Sequence, residues 1–173
     1  MTHPLLGDPA SMSALASTLR RTAVRLRADV EDLERAAADA APGWTGPTAV
    51  ATRRRVDVLA GASAEVATAL EDSGSRLQLA ATELAASIAR LRTLEEEARD
   101  AGLEVRDGTV GRPWGITGLA DRRAEEDGDR LRQSLQERVH QTVTTMSRHR
   151  TRLSAECEQA RHALTAASDA LRA

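Results

Sequence analysis

Gly43-Trp44-Thr45-Gly46-Pro47 is the one interruption between two long apolar-striped segments of this chain, and its reading decides the fold. Gly43 and Gly46 open backbone angles closed to other residues, and Pro47 has the fixed φ suited to the first turn of a helix. Trp44 is a large apolar body in a turn that is otherwise small and polar. The stretch predicts that one helix ends, the chain reverses and a second helix begins, with the indole capping the junction.

Upstream, Asp8-Pro9 reads as a helix start, an acidic N-cap followed by proline at the first helical position. The series Met12, Leu19, Leu26, Leu33 interleaves with Ala16, Ala23, Val30, Ala37, giving a heptad seam with one large and one mostly small side. Leu15 broadens that stripe. The helix is expected to end near Ala41-Pro42, because proline disfavours helix at the residue before it. Its length of about 33 residues corresponds to ~50 Å.

Downstream, Val56, Leu59, Ser63, Val66, Leu70, Ser73, Leu77, Ala80, Leu84, Ile88, Leu91, Leu94 and Ala98 keep a 3/4 spacing. With no proline inside, this predicts a single helix from Pro47 to a glycine cap at Gly102. It would hold about 55 residues and span ~80 Å. Gly61 and Gly74 are expected to weaken it by roughly 1 kcal/mol each relative to Ala. The serines on the seam suggest close backbone approach. The first helix can cover the second only to about Leu79, so Leu84, Ile88, Leu91 and Leu94 need another partner.

Residues 103–118 read as a linker. Its alternating Leu103, Val105 and Val110 around Asp107-Gly108 predict a small β-like hook. A third helix is expected from about Leu131 at the latest, within the region 119–173, with the stripe Leu135, Val139, Val143, Met146, Leu153, Cys157, Ala160, Leu164, Ala167, Leu171. His149 and Arg150 interrupt it. Running antiparallel to the second helix, it would cover the overhang. The expected fold is all-α: an elongated antiparallel helical hairpin over 1–102, extended by a third long helix into a three-helix bundle. Far from needing a partner to bury its seam, such a chain is expected as a monomer, with a dimer as the alternative.

The composition agrees. The chain has no Phe and no Tyr, so its core must be built from Leu, Val and Ala, which suit helix packing better than a sheet. The net charge of −2 offers no field for nucleic acid or an anionic membrane. Apart from histidine every basic residue is Arg, which together with the Ala content is expected of a GC-rich bacterial genome. No apolar run approaches the ~18 residues of a membrane span. Met1-Thr2-His3-Pro4-Leu5-Leu6-Gly7 lacks the regions of a Sec signal peptide, so any export would use another machine.

No constellation of catalytic residues emerges. His140, His149 and His162 lack the i, i+4 spacing of a helical zinc pair. Cys157, the single cysteine, falls on the apolar stripe, where a thiol behaves as a small hydrophobe. Glu95-Glu96-Glu97 and Arg53-Arg54-Arg55 read as solvated helix faces. The expectation is a protein that is not an enzyme, with no metal and no cofactor.

With Asp8-Pro9 at the first helix start, Trp44-Thr45-Gly46 in the turn, and Ala/Leu-rich helices on either side, residues 7–102 resemble the WXG helical-hairpin family of type VII secretion proteins. The resemblance implies a hairpin that associates side by side with a partner hairpin, usually into a four-helix bundle. It further implies export from Gram-positive or actinobacterial cells by a type VII system, or a role as the targeting module of a secreted protein. The implied location is the bacterial cytoplasm with export and no Sec signal peptide. A WXG-family partner or a neighbouring secreted effector is the implied partner. Trp44 and Gly46, with Trp114 in the Gly/Pro loop, are the candidate turn and partner contacts. This chain departs from short family members in continuing for another helix. Having no Tyr, it also lacks the Tyr-x-x-x-Asp/Glu signal that many exported pairs carry. The alternative function is a cytoplasmic helical scaffold or coiled-coil adaptor.

Overall fold

The computed structural model describes residues 8–112 and 122–172. The fold is all-α with one small hairpin. Helix α1 spans Pro9–Ala40 and is followed by a 3-10 turn at Ala41–Gly43; α2 spans Pro47–Asp100; strands β1 (Glu104–Arg106) and β2 (Thr109–Gly111) follow; α3 spans Arg122–Arg172. The second helix is continuous for 54 residues, as its unbroken phase predicted. The acidic stretch ahead of Leu131 is helical too.

By packing, the chain forms two compact units. One is built on Thr82–Thr151; the other joins Asp8–Ala81 with Arg152–Ala173. Both α2 and α3 contribute to each.

In the second of these units, α1 starts on the predicted cap. The Asp8 carboxylate accepts from the backbone N–H groups of Ala10 and Ser11, both at 3.1 Å. These would otherwise be orphan donors of the first turn. The Ser11 hydroxyl, followed by those two amides, holds the Asp8 carboxyl below its ordinary range. The seam Met12, Ala16, Leu19, Ala23, Leu26, Val30, Leu33, Ala37 is buried or half-buried throughout, and Ala16 and Ala23 are fully enclosed.

Their counterpart on α2 is a row of small residues that an apolar scan of the sequence passes over: Ala60, Ala67, Gly74 and Ala81, all buried. At Gly74 the α1 backbone comes close. A Cβ built there would stand 2.9 Å from the Ala16 carbonyl oxygen and 2.7 Å from Arg20 Cγ. Gly74 is therefore a packing residue and not merely a weak point of the helix. Two side-chain links tie the same helices, Ser13 Oγ to Gln78 Oε1 at 2.8 Å and Arg27 to Glu71 at 2.5 Å.

The unit on Thr82–Thr151 holds the best-buried large side chains. Leu94 and Ala98 of α2 pack with Leu135 and Val139 of α3, and Leu91 lies against them. This packing covers Leu91 and Leu94 of the overhang that the helix lengths implied, and Leu84 and Ile88 are half-buried. Truncating Leu94 or Leu135 to Ala would cost roughly 2–5 kcal/mol. The α2 helix ends in a Schellman motif: Gly102 has φ +69°, its N–H donates to Arg99 O, and Leu103 N–H donates to Ala98 O. The motif turns Leu103 back into the core.

The hook is real. β1 and β2 pair antiparallel with Val105 opposite Val110, and Asp107 and Gly108 both take positive φ, as a two-residue hairpin of this hand requires. Two three-residue strands are not stable alone. Here Val110 is buried in the helix core. The Gln136 side chain of α3 clamps the outer edge, accepting from Val110 N–H at 2.7 Å and donating to Gly108 O at 2.9 Å. Nearby, Arg138 and Glu97 form a two-pronged pair at 2.5 and 2.9 Å.

The predicted stripe of α3 needs three corrections. Val143 is exposed, and Thr142 is buried in its place, its hydroxyl donating to Arg138 O at 2.8 Å. The inner row runs Leu135, Val139, Thr142, Met146, His149, Leu153, and Val143 lies one residue round from it. A threonine that satisfies its hydroxyl on the preceding turn can occupy a buried position. Cys157 is likewise exposed, because the row continues through Glu156 and Ala160, both half-buried. Nor does His149 interrupt the stripe: it is half-buried on it, with Nδ1 3.2 Å from Glu83 Oε2.

Candidate interaction surface

Two features of the unit containing α1 bear on association: the turn and a groove. In the turn, Gly46 has φ +103°, which an L side chain rarely adopts, and its carbonyl accepts the first helical bond of α2 from Val50 N–H at 3.2 Å. Pro47 follows at the first helical position. Arg53, one turn along, reaches back and donates to the Trp44 carbonyl at 2.6 Å. This makes Arg53 a brace of the turn, distinct from the solvated run in which the sequence placed it. Its Nε is buried without a hydrogen-bond partner. With its backbone held, Trp44 as a residue remains 39% exposed. It is offered to solvent more than a cap of the junction would be. Trp114 lies outside the described residues.

The groove runs between α1 and the last part of α3, floored by α2, with a volume of about 740 Å³. Leu19, Leu77, Leu153 and Leu164 form its apolar lining, and Leu15 and Cys157 stand on it. Leu15 does broaden the α1 stripe, but it is 52% exposed. The volume falls in the range of binding sites in proteins. Polar groups, among them Asp72, Ser73, Arg76 and Asp169, also line it. The sequence carried one signal of this surface, the extra Leu15. It could not carry the other, because the splay of two helices over a third is not written in the period of any one of them.

Among the described residues the histidines do not assemble. His149 pairs with Glu83, His162 lies 4.0 Å from Glu158, and His140 is exposed. Among the described residues, no group of three or more His, Cys, Asp or Glu side chains is placed to hold a metal ion. Among the same residues, no helix is long and apolar enough to cross a membrane. Between α2 and α3, the hydrogen bonds from Arg138, with its charge, hold the Glu97 carboxyl below the ordinary range, and the same bonds raise Arg138.

No family profile, curated protein or solved structure matches this chain.

Proposed function

We propose that this chain is a non-enzymatic interaction protein of an actinobacterial type VII secretion system, a substrate, co-substrate or effector-targeting partner that works through helix association. The observations that carry the association reading are the open groove with aliphatic side chains in its lining and, elsewhere in the same unit, a braced, tryptophan-bearing hairpin turn. A groove with aliphatic side chains in its lining is a surface on which an apolar helix face can dock. The type VII assignment rests on Trp44-Thr45-Gly46 standing in the turn between two long antiparallel helices, with Asp8-Pro9 at the start of the first. On this reading Trp44 presents its indole to a partner, while Gly46 and Arg53 set the turn that holds it.

The test is export. In the native host the protein should appear in the culture supernatant when the type VII secretion ATPase is intact and vanish from it when that ATPase is inactivated, with cytoplasmic levels maintained. Equal amounts outside the cell in both strains would refute the type VII assignment, and none in either while a stable cytoplasmic complex is recovered would replace it with the cytoplasmic scaffold.

A further inference from the structure

We draw no further inference here: the strongest candidate, the groove between α1 and the last part of α3, carries none, because nothing in the structure shows what covers it.

Discussion

Gly74→Ala is the substitution on which helix propensity and tertiary packing disagree in sign. Seen as a residue in a long helix, Gly74 should be improved by Ala, by roughly 1 kcal/mol. In the packed unit the added methyl would stand 2.9 Å from the Ala16 carbonyl oxygen and 2.7 Å from Arg20 Cγ. The Arg20 stem can turn aside, but the Ala16 oxygen belongs to a helix backbone. Relieving that contact means moving α1 outward by several tenths of an ångström, against a seam in which Ala16 and Ala23 are fully buried. Overpacking of this kind costs about 1–3 kcal/mol. Set against the propensity gain, the net expectation is a loss of up to about 2 kcal/mol. Gly61 supplies the control, since it lies in the same helix, is exposed, and has nothing within 4 Å of the place an added methyl would take. Gly61→Ala should gain roughly the full 1 kcal/mol. The two variants should therefore differ by about 1–3 kcal/mol, or several degrees in Tm for a chain of this size. Thermal and urea unfolding followed by helical circular dichroism reads both. Equal stabilisation by the two substitutions would refute the close approach of α1 and α2 at Gly74.

Trp44→Ala should lower stability by about 1 kcal/mol or less, because the indole is partly in water, against the roughly 3–5 kcal/mol of a buried aromatic; a larger fall in unfolding free energy would mean that the indole is a core residue. Gln136→Ala removes both prongs of the hairpin clamp and should cost about 1–3 kcal/mol, with hydrogen exchange at Val110 accelerating before that of the helix core. Uniform exchange across both would refute a clamp. Because Glu97 titrates below its ordinary value in the folded protein, its contribution is full above the carboxylate range and is lost as pH falls through its lowered folded pKa, from about pH 5 downward. Glu97→Gln should accordingly flatten the acid limb of stability against pH while leaving its neutral-pH slope unchanged, and an unchanged acid limb would show that the pair is not coupled to folding.

The sequence by itself determined the local structure of this protein. Helix starts and stops are set by residues whose backbone preferences act within a turn: Asp8-Pro9, Gly46-Pro47 and Gly102 each do what their own chemistry dictates, whereas Ala41 before Pro42 stays helical and the chain runs on into a 3-10 turn. Asp107-Gly108 likewise needs only its own tolerance of positive φ to close the hook. The heptad seam of α1 was legible because large and small residues alternate at a helical period. What only the tertiary structure decided depends on distances between elements. The row Ala60, Ala67, Gly74, Ala81 is nearly invisible to a hydrophobic pattern, since small residues contribute little apolar area; it matters because a second helix comes close enough to exclude a Cβ. Thr142 and Val143 exchanged their expected places because a phase error of one residue turns a helical side chain by about 100°. The roles of Gln136 and Arg53 required a hairpin edge and a turn carbonyl to be brought within reach from 26 and 9 residues away. The groove belongs to the same class: three amphipathic stripes specify that helices pack, but the gap between two of them is a property of their arrangement and of no single stripe.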